Sequence, residues 1–418
     1  MERIRPEALT IGTDAVGALI QYCQSKRYTR LLIVADRNTY AALGHRVHQV
    51  LDAESFDTRL VYFDHPEVVA DAHHILDILI AANNEDRIFL AVGSGTITDL
   101  VRFSSHRSGV PFISLPTAPS VDGFTSIGAP TIVRGIKKTL VSQPPVAIFA
   151  DLDTLRRAPR RLMAAGFGDM MGKFTSAADF KLGHLLWNEP FDSEIAERTR
   201  ESAQTCVDNL ESIATASEEG MRILFDALVE SGYCMLDFGE SRPASGAEHH
   251  ISHFAEMKLL QGGKPAVLHG AKVGAATIRV AQLYDQVKSL SQAQVAQLME
   301  VAEPPNPDVE KLAIRDAYGE LAEPLLKGQL PYIEIDHKVY EDIQKRIIDN
   351  WADIQAIAAQ VPSAADVTRW LQAVGGAIQA KDLGISEADF EEAYNNGHYL
   401  RERFTIRKMM HLFFKGAV

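Results

Sequence analysis

Hydrophobic residues in the first part of the chain come in short runs that alternate with longer segments of helical spacing. The runs, each bounded by turn residues, are Leu31 to Ala35, Ile88 to Val92, Pro111 to Leu115 and Val146 to Ala150. Such runs are typical of buried strands, whereas Val69 to Ala82 repeats its apolar residues at helical spacing. Strands that alternate with helices predict a parallel, doubly wound sheet.

The pattern changes from about Pro159 onward, where strand-like runs are nearly absent. Long amphipathic segments replace them: Phe191 to Ile213, Met221 to Leu236, Ala271 to Leu290, Glu341 to Ala358 and Ala364 to Ala380. Apolar stripes of this period predict helices that pack one face into a core. We therefore expect an α/β, Rossmann-like nucleotide-binding domain at 1–155 and an all-helical, metal- and substrate-binding domain at 156–418.

Composition and charge exclude several classes of protein. Hydrophobic residues make up 46% of the chain and the formal net charge is -13, which disfavours a nucleic-acid binder because tracking phosphates needs a basic face. Cys23, Cys206 and Cys234 lack CxxC spacing, so we expect a reducing compartment and no disulfides. Signal-peptide and membrane-span patterns are absent. We expect a cytoplasmic protein without membrane contact.

Two glycines follow the strand-like run that ends at Val92. The segment AVGSGTITDLVR places Gly93 and Gly95 before a helical pattern. Glycines let a backbone approach a pyrophosphate, and a helix N-terminus offers N–H donors. The third glycine of GxGxxG is missing, so a nucleotide-binding turn and a plain strand-to-helix turn fit equally well. Asp36, at the end of LLIVAD, is either a ribose-binding carboxylate or a helix N-cap.

A loop rich in proline, glycine and small polar residues follows the third strand-like run. It reads PTAPSVDGFTS from Pro116 to Ser126 and offers Thr117, Ser120 and Asp122 as further polar groups. Loops at the carboxyl ends of parallel strands bind ligands in doubly wound sheets. This position favours a ligand-binding role slightly over that of an ordinary loop.

Acidic and histidine residues in the helical part form a pattern suited to a metal ion. FGDMMGK contains Asp169, SGAEHHISH supplies His249, His250 and His253, and VLHGAKVG supplies His269. Residues four apart share a helix face, so His249 and His253 can point the same way. One carboxylate and two imidazoles are a common catalytic ligand set, which we favour over a solvated polar face. His250 lies about 100° around the helix and is expected to tolerate alanine.

These motifs together resemble the sn-glycerol-1-phosphate dehydrogenases, bacterial type, of the iron-type alcohol dehydrogenase and glycerol dehydrogenase superfamily. The similar pieces are GSGTITD, PFISLPTAPSVDGFTS, GFGDMMGK, RPASGAEHHISH and LHGAKVG, in order between residues 93 and 274. The resemblance implies an N-terminal Rossmann-like domain and a C-terminal helical domain, with the active site in the cleft between them.

The resemblance also implies a role for each candidate residue. Asp169, His249 and His269 are implied to hold one divalent ion, for which nickel, zinc and iron all fit. Asp122 and His253 are implied to be catalytic and to contact substrate, and Asp169 to contact substrate as well. The residues implied to contact NAD(H) are Asp36, Gly95, Thr96, Ile97, Thr98, Asp99, Thr117, Ser120 and Ser126.

The implied reaction interconverts dihydroxyacetone phosphate and sn-glycerol 1-phosphate by hydride transfer at C2, with a link to lipid biosynthesis. The ion would polarise the ketone, and His253, or a metal-bound water in its place, would relay a proton to the oxygen. The substrate phosphate needs cations. The candidates, among which the sequence does not choose, are Arg134, Lys137, Lys138 and Lys173.

Three other functions fit part of the pattern. A glycerol or polyol dehydrogenase acting on an unphosphorylated substrate would share the metal ligands. A related metal- and NAD-dependent lyase would need different lysines and arginines. A catalytically inactive ligand sensor is disfavoured by the intact set Asp169, His249 and His269. We expect a small phosphorylated partner and a homodimer, although nothing in the sequence itself sets the oligomeric state.

Overall fold

The computed structural model describes residues 5–65, 67–133 and 136–414, the last range without the side chains of positions 136 and 137. The backbone divides into two compact units. The first takes in the chain up to Phe167 together with Gln204–Gly239 and Ala373–Gly375. The second consists of Gly168–Ala203, Glu240–Gln372 and the chain from Gly376 onward. The predicted division at residue 155 assigns nucleotide binding to one part of the chain and metal and substrate binding to the other. This assignment stays a prediction.

The described strands belong to the first unit. They are β1 (Ala8–Gly12), β2 (Arg30–Asp36), β3 (Asp57–Phe63), β4 (Ile88–Val92), β5 (Phe112–Leu115), β6 (Gly128–Val133), β7 (Ile136–Val141) and β8 (Ala147–Asp151). A parallel six-stranded sheet has the order β1-β8-β5-β4-β2-β3, and β6 and β7 form a separate antiparallel pair. The parallel sheet predicted from the sequence is confirmed.

Helices follow the strands and make up most of the rest of the described chain. The first ten are α1 (Ala15–Lys26), α2 (Arg37–Thr39), α3 (His45–Ala53), α4 (Ala72–Ala82), α5 (Gly95–Ser108), α6 (Leu152–Arg157), α7 (Arg160–Trp187), α8 (Ser193–Asp208), α9 (Leu210–Ala214) and α10 (Glu218–Phe238). They continue as α11 (Ala247–Gln261), α12 (His269–Ser289), α13 (Gln292–Val301), α14 (Pro307–Tyr318), α15 (Ala322–Ile333), α16 (His337–Asp349), α17 (Trp351–Ala359), α18 (Ala364–Ala373), α19 (Glu387–Asn396) and α20 (Ile406–Phe413). The predicted helical C-terminal part is confirmed, and no described helix has the length and apolar character needed to cross a membrane.

The sheet is buried on both faces, which explains why its central strands read as unbroken hydrophobic runs. Successive side chains of a strand point to opposite faces. In β2, Leu31 and Ile33 pack in one cluster with Leu19 of α1, while Leu32 and Val34 pack in the other with Leu100 of α5. Helices therefore cover both faces of the sheet, as in a doubly wound fold.

Two of the predicted helical segments are interrupted, each time at an asparagine. Helix α8 gives way to α9 at Asn209, and α16 gives way to α17 at Asn350. The side-chain amide of each donates to a carbonyl four residues earlier, to Thr205 O at 2.9 Å and to Arg346 O at 2.8 Å. Asparagine thus adds a side-chain hydrogen bond to the preceding turn, and at Asn350 the backbone N–H still donates to the same carbonyl at 3.1 Å. Periodicity alone does not register such bonds.

Candidate functional site

The second unit brings together three side chains from three separate helices. Asp169 lies on α7, His249 on α11, and His269 is the first residue of α12. Potential ligand atoms of the three lie within 4.8 Å of one another. His249 Nε2 is 3.7 Å from Asp169 Oδ1, and His269 Nε2 is 3.8 Å from Asp169 Oδ2.

Glycines in GFGDMMGK allow this convergence. A Cβ atom on Gly168 would lie 2.5 Å from the carbonyl oxygen of Gly270, and one on Gly172 would lie 2.9 Å from Val273 Cγ1. Real Cβ atoms do not approach other atoms so closely, so α7 and α12 can touch at these positions only because the side chains are missing. The close contact places Asp169 beside His269.

The three side chains suit a divalent transition-metal ion. Metal–ligand bonds of about 2.0–2.2 Å in a tetrahedral site put neighbouring ligand atoms roughly 3.3 Å apart. The observed separations of 3.7 Å and 3.8 Å exceed this value only slightly. Two imidazole nitrogens and one carboxylate oxygen form a donor set that leaves coordination positions open for a substrate.

His253 stands beside this group without belonging to it. Its ring centroid lies 5.9 Å from that of His249 and 5.4 Å from that of His269. The side chain is partly exposed, in contrast to the buried Asp169 and His249. The predicted common face of His249 and His253 is therefore observed on α11.

Lys173 does not have the surroundings of a phosphate ligand. It is fully buried, and its Nζ donates to Asp169 Oδ1 and to Ala244 O, both at 3.0 Å. Of the other proposed phosphate ligands, Lys138 is exposed on β7. Arg134 and the side chain of Lys137 lie outside the described residues. The geometry thus gives Lys173 a different task, which is to hold one oxygen of Asp169.

Two buried carboxylates behind His249 were not found from the sequence. Glu248 Oε1 lies 2.7 Å from His249 Nδ1, and Asp179 Oδ2 accepts from Ala247 N at 2.8 Å. Burial, together with the charge of Glu248, raises the pKa of Asp179 to about 7, against hydrogen bonds that lower it. The negative charge of Glu248 therefore affects the ionisation of Asp179 near the start of α11. The only sequence signal for Glu248 is its place directly before the histidine pair.

His250 occupies a different environment from that of its neighbours. It is 1% exposed, and its ring nitrogens have no hydrogen-bond partner among the described atoms. Burial lowers its pKa well below the usual value, and the positive charge of Arg403 adds to this effect. That alanine is tolerated here better than at His253 stays a prediction for activity. For stability we expect a loss, because the substitution would leave a cavity.

In the first unit, the candidate nucleotide-binding residues follow adjacent strands. Asp36 ends β2 and Gly93 follows β4, two neighbours paired at Val34 and Ala91. The chain passes from β2 to β3, which is the edge strand of the sheet. It then returns to β4, which pairs with β2 on the side opposite β3. Ligands bind at such a switch point in doubly wound sheets. The first turn of α5, which begins at Gly95, has no side-chain cap, so its N–H groups suit an anion.

Asp36 caps a helix, as one of the two sequence interpretations predicts. Its Oδ1 accepts from the backbone N–H groups of Asn38 and Thr39, both at 2.8 Å. These bonds use one carboxylate oxygen, and the residue remains partly buried at the edge of the sheet. Capping and ribose binding are compatible, because a carboxylate has two oxygens.

The loop after β5 is held in place by a buried arginine. Arg102 of α5 donates to Gly123 O at 2.6 Å and to Asp99 Oδ1 at 2.8 Å. Asp99 thus orients Arg102. Asp122 Oδ2 accepts from Ser231 Oγ at 2.9 Å.

The remaining loop residues differ in their surroundings. Ser126 Oγ accepts from Gly128 N at 2.9 Å, and Thr117 and Ser120 are buried. A Cβ on Gly95 would lie 3.2 Å from Val121 Cγ1, so the loop passes close to the start of α5. The structure therefore brings Thr117 and Ser120 to the same edge of the sheet as the glycine turn.

Comparison with known proteins agrees with this architecture. Residues 10–159 match the family model described as iron-containing alcohol dehydrogenase. The chain is 39% identical over 406 residues to a glycerol-1-phosphate dehydrogenase [NAD(P)+] from Halalkalibacterium halodurans, covering 96% of this chain and 92% of that protein. It is 34% identical over 405 residues to the protein of that name from Bacillus subtilis, covering 96% and 90%.

Solved structures support the fold. NADH-dependent butanol dehydrogenase A from Thermotoga maritima superposes with a TM-score of 0.60 at 13% identity, covering 98% of this chain and 97% of that one. At such low identity the likeness concerns the fold alone.

Proposed function

The chain belongs to the glycerol-1-phosphate dehydrogenases of the iron-containing alcohol dehydrogenase family, and from this premise we propose that it interconverts dihydroxyacetone phosphate and sn-glycerol 1-phosphate with NAD(H). The observation that carries the proposal is the convergence of Asp169, His249 and His269 in a chain with such relatives. When bound, the nicotinamide would supply or take up the hydride, and the protein would supply binding and orientation.

We assign one divalent ion to Asp169, His249 and His269. Nickel, zinc and iron all accept this donor set, and the order of affinities alone does not select among them. When bound, the ion would polarise the C2 carbonyl and stabilise negative charge on its oxygen. Asp169, already held by Lys173 at 3.0 Å, is also proposed to contact the substrate.

His253 and Asp122 are the proposed catalytic residues. His253 lies beside the metal ligands without belonging to them, and its partly exposed imidazole suits proton exchange between the C2 oxygen and solvent. Asp122 is proposed to bind the substrate through its carboxylate, which Ser231 orients by the 2.9 Å hydrogen bond.

We place NAD(H) at the carboxyl edge of the sheet. Gly95 to Asp99 would meet the pyrophosphate through the N-terminus of α5, and Asp36 would accept from a ribose hydroxyl. Thr117, Ser120 and Ser126 would complete the contacts. In this proposal residues 1–155 bind the nucleotide and contribute Asp122 as a substrate contact, and residues 156–418 bind the metal and substrate. We further propose a homodimer in the cytoplasm, where the three buried cysteine thiols would stay reduced.

A metal removal and add-back assay tests the function. The chelated protein should not oxidise NADH with dihydroxyacetone phosphate, and zinc, nickel or iron should restore the activity. Dihydroxyacetone without the phosphate is the matched control and should react poorly. A preference for that control would indicate a polyol dehydrogenase, and substrate loss without net NADH oxidation a lyase. Binding without turnover would indicate a sensor, and any of these three results overturns the proposal.

Asp36 should make the protein prefer NADH to NADPH. Its carboxylate would repel a 2′-phosphate and accept from a 2′-hydroxyl. We expect Asp36→Ala to lower the ratio of kcat/KM with NADH to kcat/KM with NADPH, because the variant would admit NADPH. The same variant should lose about 1 kcal/mol of stability, because two N–H groups lose their cap.

Asp36→Asn separates the two effects. Its amide oxygen can keep both capping bonds, so this variant should change the cofactor ratio with little loss of stability. Steady-state kinetics with both cofactors and thermal melts measure the two quantities. Equal use of NADH and NADPH by the unmodified protein would show that Asp36 does not select the cofactor.

A further inference from the structure

Glu248 connects the start of α11 to a proposed metal ligand. Its side chain is 0% exposed. Oε1 lies 2.7 Å from His249 Nδ1 and also accepts from Gly246 N at 2.7 Å. Oε2 accepts from Thr175 Oγ1 on α7, again at 2.7 Å. Two donors and the imidazole nitrogen of His249 therefore surround one carboxylate that no solvent reaches.

This arrangement decides which nitrogen of His249 carries the proton. An ionised carboxylate only accepts hydrogen bonds, so the short contact requires a hydrogen on Nδ1. A neutral imidazole then has its lone pair on Nε2, which is the atom that faces Asp169 Oδ1 at 3.7 Å. The tautomer that a metal ion needs is thus already selected by protein contacts.

Two glycines make room for this carboxylate. A Cβ on Gly246 would lie 2.9 Å from Glu248 Oε2 and 2.6 Å from Asp179 Oδ2. One on Gly172 would lie 3.3 Å from Glu248 Cγ. Glycines on α7 and in the turn before α11 therefore leave space for the side chain of Glu248. A side chain that served only to cap a helix would not need space on the neighbouring helix.

We propose that Glu248 is a positioning residue that fixes the tautomer and the ring orientation of His249 for the metal ion. The inference rests on the proposed metal site. Outer partners of metal-binding histidines commonly act in this way, and their loss costs about 10–100-fold in metal affinity. Glu248 touches neither substrate nor cofactor in this role, and it acts through His249.

Two variants separate the role of Glu248 as a hydrogen-bond acceptor from the role of its negative charge. Glu248→Gln keeps an acceptor for Nδ1 and loses the charge, whereas Glu248→Leu removes both. We expect apo Glu248→Leu to lose the pure Nδ1–H tautomer of His249, as read from ¹⁵N shifts of labelled histidines. Its zinc affinity, measured by chelator competition, should fall about a hundredfold. Glu248→Gln should keep the tautomer of His249 and lose about tenfold in zinc affinity.

Glu310→Gln is the matched control. Glu310 is likewise buried, and its Oε2 lies 2.8 Å from His411 Nε2 in the same unit. This variant should lose stability and keep the zinc affinity of the unmodified protein. Unchanged tautomer and affinity in Glu248→Leu would overturn the inference. If that variant does not fold, wild-type affinity in Glu248→Gln overturns it. Failure of the unmodified protein to bind zinc, nickel and iron alike would instead overturn the metal site itself.

Discussion

Replacing His269 with alanine should cost the protein most of its metal and most of its activity while the fold survives. His269 supplies one of the three proposed ligand atoms, and its Nε2 lies 3.8 Å from Asp169 Oδ2. Loss of a mere outer partner already costs about 10–100-fold in affinity, so loss of a ligand should cost more. Because the side chain is 25% exposed, alanine leaves no closed cavity at this position.

Elemental analysis of the purified His269→Ala variant measures the bound metal per subunit, and NADH oxidation measures turnover. His48→Ala is a suitable control, because His48 has a similar exposure of 24% and lies on α3, remote in sequence from the ligands. The control should keep its metal, and the metal-free forms of both variants should melt near the metal-free unmodified protein. Full metal occupancy with normal turnover in His269→Ala would refute the ligand assignment.

The sequence predicted the fold where periodicity is unambiguous. The run from Ile88 to Val92 became β4 without change, because a strand buried on both faces must be apolar at every position. β1 (Ala8–Gly12) was not predicted, since its side chains are mostly half-exposed and leave no such run. The helical segment predicted to reach Ala380 ends at Ala373, and Gly375 follows with a φ of +74°. Glycine adopts this backbone readily, which a hydrophobic pattern does not reveal.

The candidate site illustrates a different limit. Asp169, His249 and His269 could be proposed from their residue types and the resemblance of their motifs, and the structure brings their ligand atoms within 4.8 Å. Glu248 could not be proposed, because residues adjacent in a helix ordinarily face different directions. Its contact with His249 Nδ1 depends on how the first turn of α11 presents the imidazole, and only coordinates reveal that.

Lys173 shows how burial changes the role of a residue. In the sequence it is a lysine near a proposed active site and therefore a candidate for binding phosphate. In the structure its ammonium group is fully buried and paired with Asp169 Oδ1 at 3.0 Å. A buried ammonium needs a partner, and removing one member of such a pair is strongly destabilising. Asp169 and Lys173 are four residues apart on α7, and this spacing alone does not decide between the two roles of the lysine.

His253→Ala should separate proton handling from metal binding. His253 lies one helical turn from His249, with ring centroids 5.9 Å apart, and is not among the three grouped ligands. Losing a general acid–base group costs on the order of a hundredfold in rate. We therefore expect near-stoichiometric metal and ordinary NADH binding, but poor turnover of dihydroxyacetone phosphate and an altered pH profile of kcat.

The adjacent residue provides the comparison for His253. His250 is 1% exposed, so His250→Ala should lower the melting temperature by leaving a cavity, yet keep the turnover of each folded molecule. His253→Ala should show the opposite pattern, since its side chain is partly exposed and its loss leaves little empty space. Metal content, thermal melts and kcat of the two variants decide between these outcomes. If His253→Ala loses bound metal before it loses turnover rate, His253 is not the proton-transferring residue. The same holds if both variants behave alike.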